Sequence, residues 1–264
     1  MRALFANRLT VLFSALGALL VLFVAVPLAR TVTASSPALL WQTLLDPEVR
    51  GAISRTLYAS FIATLLAFIC GVPLAYLLAR VDFPGKGVVE GIVDLPVVVP
   101  HSAAGIALLM VFGRQAPLGQ MFGLLGLKFV SAVPGIVVAM LFVSLSFLVN
   151  AAREGFEAVD PRLERVARTL GASPWEVFWR VSFPLAWRSI LSGAMMMWAR
   201  GLSEFGAVVV LAYHPMVAPV LLYERFESFG LAYARPVAAL MILICLAAFA
   251  VLRSIAGKRP EGTG

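Results

Sequence analysis

Residues 9–29, 56–79, 95–113 and 129–152 contain no Asp, Glu, Lys or Arg. A helix crossing a hydrocarbon core about 30 Å thick needs about 20 apolar residues, and each of these runs is near or above that length. Two weaker runs follow, 189–213, which is interrupted by Arg200 and Glu204, and 236–252. The runs are continuous rather than alternating, which argues against barrel strands and for helices. The expected fold class is therefore an all-α polytopic membrane protein with about six transmembrane helices. Only 13% of the 264 residues are charged and 61% are hydrophobic, far from the composition of a soluble domain. The first run exceeds the core of a cleaved signal segment, so a retained first span is expected.

The formal charge of +7 describes topology rather than nucleic-acid binding. With six spans and the N-terminus inside, 13 Lys or Arg fall on the cytoplasmic side and 7 outside, with Arg200 left within span five. The positive-inside rule selects that orientation, with both termini cytoplasmic in a plasma or inner membrane. No nucleic-acid partner is expected; membrane lipids are. Cys70 and Cys245 lie in separate apolar runs, have no metal-ligand spacing and are expected to behave as small buried hydrophobes.

Along the chain, Asp46-Pro47 is an N-cap and first-turn proline signature, so the second helix is expected to begin ahead of its apolar run. Pro73 should kink that helix. Gly85-Lys86 lacks the upstream glycine and the following Ser or Thr of a phosphate loop and reads as a turn. No nucleotide-binding motif occurs, so the chain is expected not to be an ATPase itself and to carry no cofactor of its own. Span three opens irregularly at Pro96, Pro100, His101 and Ser102. Such backbone at membrane depth fits either a kinked structural helix or a break lining a pathway.

One polar stretch, 154–188, cannot span a bilayer. Asp160-Pro161 starts a helix on which Leu163, Val166, Ala167 and Leu170 form one apolar face, with Arg162, Arg165 and Arg168 off it. Gly171 stands where a left-handed cap belongs. Ser173-Pro174-Trp175-Glu176 is a capping box opening a second helix, which Phe183-Pro184 is expected to close. Trp175, Trp179 and Trp187 read as interfacial anchors. A helix this short is marginal alone and needs a surface for its stripe, either lipid headgroups or another protein. Arg200 and Glu204, four apart, are expected to meet on one helical face, as a structural pair or as part of a pathway or gate that includes Ser203 and Gly206.

The polar stretch resembles the cytoplasmic coupling loop of binding-protein-dependent ABC importer permeases. Their pattern is Glu-Ala-Ala, three residues, Gly, nine residues, an aliphatic residue, one residue, Leu-Pro. Here it reads Arg165-Val166-Ala167, Gly171, Val181 and Phe183-Pro184, with Glu164 one place ahead of the family's glutamate. The segment 71–80 resembles the usual end of that family's second core helix, and 94–96 and 199–207 resemble its oxyanion branch, nearest to molybdate/tungstate permeases, with sulfate or thiosulfate the alternative. The resemblance implies the type I importer permease fold, with a first helix and external loop (1–50), a permease core (51–257) and a cytoplasmic tail (258–264). It also implies a second copy of the chain, two ATPase subunits that bind ATP and Mg, and an oxyanion-binding protein that is periplasmic or lipid-anchored. Arg162, Leu163, Glu164, Val166, Ala167, Leu170, Gly171 and Pro184 would then form the ATPase-coupling element. Two other classes stay open on the residues alone. A stand-alone secondary transporter fits the interrupted spans three and five. An intramembrane enzyme is disfavoured because Arg200, Glu204 and His101 form no nucleophile–base set.

Overall fold

The computed structural model describes residues 8–256; the tail at 258–264 and the residues before Arg8 lie outside the described residues. Every element among those residues is helical: α1 (Arg8–Thr33), α2 (Pro37–Leu45), α3 (Pro47–Arg80), α4 (Lys86–Val98), α5 (His101–Phe112), α6 (Pro117–Leu124), α7 (Val133–Glu157), α8 (Pro161–Thr169), α9 (Pro174–Val177), a π-turn (Phe178–Ser182), α10 (Phe183–Leu202), α11 (Gly206–Leu211), α12 (Ala218–Phe229) and α13 (Leu231–Ala256).

Four of these, within α1, α3, α7 and α13, are long and apolar enough to cross a membrane. The third expected span is not one helix but two, α4 and α5, bent by 117° at their junction. Proline explains the break. Val99 adopts the extended geometry that a residue before proline prefers, and Pro100 has no N–H with which to continue the ladder. The fifth, 189–213, is carried by α10 and α11 with a break at Ser203-Glu204-Phe205, so it falls short of one unbroken apolar span. By contrast α3 runs unbroken through Pro73.

The described chain forms two compact units. The first comprises residues 8–50 and 222–246. Within it α1 buries none of its apolar window, which leaves that face for lipid. Asp46 caps α3 by accepting from the Glu48 N–H at 2.9 Å, and the Arg225 guanidinium reaches Asp46 at 2.6 Å and Glu48 at 3.1 Å. That bond to Arg225 holds the Asp46 carboxyl below its ordinary range.

The second unit comprises 51–221 and 247–256. Its centre is α7, which buries 61% of its apolar window and packs most extensively on α10. Phe156, Leu148, Val149 and Ala152 of α7 join Ile190 and Met197 of α10 and Ala75 and Leu78 of α3 in one core. Ser146 Oγ donates to the Val93 carbonyl at 2.5 Å and Asn150 to Asp94 at 2.6 Å, which ties α4 to α7. Such interhelical polar bonds and close-packed faces replace the hydrophobic drive that lipid does not supply. Cys70 is exposed on α3 rather than buried, because the α3 residues that enter this core are Ala67, Val72, Ala75 and Leu78 and Cys70 lies off their stripe.

Candidate functional site: a bolted loop helix and a charged break

The polar loop forms as its residues dictate. Asp160 Oδ1 accepts the Arg162 N–H at 2.8 Å and starts α8. Gly171, at φ +90°, ends it in a Schellman cap: Ala172 N–H donates to the Ala167 carbonyl at 3.1 Å and Gly171 N–H to that of Arg168 at 3.0 Å. Ser173 and Glu176 exchange capping-box bonds at 3.3 and 3.0 Å, and these bonds lower the exposed Glu176 carboxyl below its ordinary range. Phe183-Pro184 does not close the second helix. The backbone passes from α9 through the π-turn into α10, with the Phe183 N–H donating to the Phe178 carbonyl. Pro184 falls in the first turn of α10, where a missing N–H breaks no bond. Trp175, Trp179 and Trp187 line this passage in a row of ring contacts with Phe178 and Phe183.

The orientation of α8 is the informative result. Leu163, Val166 and Leu170 are 48%, 56% and 82% exposed, so the apolar stripe points away from the protein. The buried residue is Glu164, 4% exposed. Its Oε1 receives Arg80 Nε from the end of α3 and Ser182 Oγ from the π-turn, each at 2.8 Å. Arg80 also donates to the Val159 carbonyl at 2.9 Å. Glu164 is thus an anchor of α8 rather than part of its outer surface, while Arg162, Leu163, Arg165 and Val166 face outward. Sequence reasoning missed Arg80 and Ser182, which lie 84 and 18 residues from Glu164. Nothing local marks either as its partner.

A second constellation lies at the two helix breaks. Arg200 and Glu204 do meet, at 3.0 Å, but not across one helical face. The helix ends at Leu202, Ser203 is its cap, and Glu204 sits in the break. Glu204 is fully buried; its Oε1 accepts the Ala207 N–H at 2.8 Å. Its Oε2 lies 3.0 Å from Arg200 Nη2 and 3.2 Å from His101 Nδ1, yet neither contact is aligned as a hydrogen bond. Arg200 Nη2 lies 2.8 Å from the His101 ring nitrogens, and its Nη1 donates to Ser203 Oγ at 3.3 Å. His101 opens α5 directly after Pro100, while Pro96 is buried in α4 and Ser102 is exposed. Gly206 opens α11 against it: a Cβ there would lie 2.7 Å from the His101 Cβ, so only glycine permits the approach. His101, Arg200, Ser203, Glu204 and Gly206 are therefore one cluster, gathered from both broken spans. No group of three or more metal-ligating side chains occurs among the described residues.

Residues 71–259 match the family described as Binding-protein-dependent transport system inner membrane component. The chain belongs to that family. It is a multi-pass membrane permease, a transport component and not an enzyme. Its relatives include the Molybdate/tungstate transport system permease protein WtpB of Thermococcus kodakarensis, 46% identical over 94% of this chain and 96% of that protein. The Probable sulfate transport system permease protein cysT of Chlorokybus atmophyticus is 34% identical over 78% of this chain and 73% of that protein. The permease fold matches a chain of a bacterial alginate ABC transporter, solved with a pentasaccharide-bound periplasmic protein, at a TM-score of 0.72, 18% identity and 96% coverage of both chains. Family membership sets aside the stand-alone secondary transporter and the intramembrane enzyme.

Proposed function

We propose that this permease is the transmembrane subunit of an ATP-driven importer that takes molybdate or tungstate from an external binding protein into the cell by alternating access. The observation that carries the reading is the exposed apolar stripe of α8 on a helix bolted inward by Glu164. Lipid headgroups alone do not require such a bolt; a lever does. A separate ATPase subunit, binding ATP and Mg, receives Leu163, Val166 and Leu170 in a groove. Its closure pushes α8. The push passes through Glu164 to Arg80 on α3 and to Ser182 in the π-turn, and so into α10, a rod about 30 Å long whose far end carries Arg200. The charged break is then the pathway or gate element.

The assembly comprises two copies of the permease, two ATPase subunits and a periplasmic or lipid-anchored binding protein, with both permease termini cytoplasmic, the side that the distribution of Lys and Arg favours. The anion assignment is supported by the 46% identity to the molybdate/tungstate relative. Sulfate is the second reading, favoured by the 34% identity to the sulfate relative. Two measurements test the proposal. An ATPase should co-purify with the tagged permease. In cells, excess molybdate should suppress tungstate uptake while equal sulfate leaves it unchanged; suppression by sulfate alone transfers the assignment to sulfate, and absence of any ATPase rejects the importer.

A further inference from the structure

We infer that Glu204 is a tethered stand-in for the transported anion, occupying an oxyanion site built from Arg200, His101 and Ser203. The inference rests on the proposed passage of an oxyanion past this cluster.

The argument starts from how poorly the pair serves as a structural one. Arginine and carboxylate lock best as a bidentate fork, with two parallel hydrogen bonds. Here Arg200 divides its donors among Ser203 Oγ, the His101 ring and Glu204 Oε2, and no aligned bond reaches that oxygen. A fully buried carboxylate oxygen with a guanidinium nitrogen at 3.0 Å and an imidazole nitrogen at 3.2 Å but no aligned donor is held by charge rather than by geometry. A guanidinium and an imidazole stand beside it, and the Ser203 hydroxyl, which here donates to the Arg200 carbonyl at 3.0 Å, can turn to complete the set that recognises a multi-oxygen anion.

Placement points the same way. The carboxylate lies at the back, while Ser203 and Ser102 are exposed and Arg200 and His101 half-buried. An anion arriving from the open side meets the donors first. Glu204 sits in the non-helical break between α10 and α11, so its departure disturbs no helical ladder and gives up only the bond of its Oε1 from the Ala207 N–H. Its neighbours stand at element ends too: His101 begins α5 and Arg200 lies in the last turn of α10. A shift of α5 against α10 therefore opens or closes this site.

Charge explains why a carrier would keep such a residue. Arg200 and Glu204 cancel, so the idle site attracts a dianion weakly and releases it readily. Without the carboxylate the site keeps one net positive charge and becomes a trap. Conduction needs binding that is favourable enough to enter and weak enough to leave.

The test uses the purified permease with its ATPase, and tungstate retained after equilibrium dialysis is measured by elemental analysis. Glu204→Gln is expected to hold tungstate at least about tenfold more tightly than the unaltered protein, because one opposing charge a few ångström away has been removed. The gain should vanish in Arg200→Gln/Glu204→Gln, and ATP-driven uptake by Glu204→Gln should slow. A merely structural pair would yield lower thermal stability with no gain in retention, and that result overturns the inference. Should Glu204→Gln not fold, His101→Lys makes the cluster net positive with the carboxylate kept. It is expected to retain tungstate likewise, and failure to do so overturns the inference equally. Loss of tungstate import by the unaltered complex would instead reject the transport reading, whatever the variants bind.

Discussion

Glu164 and Asp46 are both carboxylates paired with an arginine, and their settings give them different consequences. Glu164 is buried, and truncating one partner of a buried ion pair leaves the other charge desolvated, at a cost of about 3–5 kcal/mol. Arg80 keeps the Val159 carbonyl, so Glu164→Ala should lose about 3 kcal/mol, the lower end of that range, read as a fall in thermal midpoint in detergent. Glu164→Gln keeps an acceptor for Ser182 and should lose less. An equal loss in both would show that charge, not hydrogen bonding, holds α8. Asp46 is only partly buried, and Arg225 depresses its carboxyl below 3.8. A carboxyl whose folded value is depressed adds stability above its unfolded value and gives that stability up as pH falls through the folded one. The thermal midpoint should therefore drop as pH falls below about 4. Asp46→Asn should flatten that drop, and an unchanged acid profile in the variant would assign the sensitivity elsewhere.

At the level of the element, α8 separates its anchor, the buried Glu164, from the exposed stripe proposed to dock. Leu163 and Leu170 are exposed and lie outside the buried core cluster, so Leu163→Glu with Leu170→Glu should change stability by no more than about 0.5 kcal/mol, as exposed substitutions do. The same pair should abolish ATPase co-purification. If the doubly charged helix still captures the ATPase and transports, the lever is not α8. The stripe, the caps at Asp160, Gly171 and Ser173, and the start of α3 at Pro47 were legible because each is a local signal, written within one or two turns. Three things were not. The bond network of Glu164 links residues 84 apart, and no periodicity records such a distance. Phe183-Pro184 carried a stop signal that the π-turn defeated, since proline in a first turn does not oppose a helix that begins there. His101 meets Arg200 across 99 residues because two independent helix breaks fall side by side. The sequence marks the break at Pro100, but the spacing of Arg200 and Glu204 reads as one helical face and hides the second break, and nothing local marks that the two lie side by side.

For the whole molecule, the energetics of its cargo decide how it must be driven. Moving one charge across 100 mV is worth about 2.3 kcal/mol, so a dianion entering a negative-inside cell opposes about 4.6 kcal/mol before any concentration gradient. A cluster in which Arg200 and Glu204 cancel supplies no such drive, and a passive pore at this site would drain the anion outward. On the proposed reading, the drive for accumulation enters through α8. In inverted vesicles carrying the permease, its ATPase and the binding protein on the appropriate face, tungstate should move only with hydrolysable ATP, and dissipating the membrane potential should not abolish it. Leu163→Glu with Leu170→Glu should remove that movement while leaving hydrolysis by the isolated ATPase intact, since the motor is whole and only its grip is lost. Movement that persists without ATP and collapses with the potential would mean that the broken spans at Pro100 and Glu204 work as an ion-coupled carrier, and that the anchored helix is a scaffold rather than a lever.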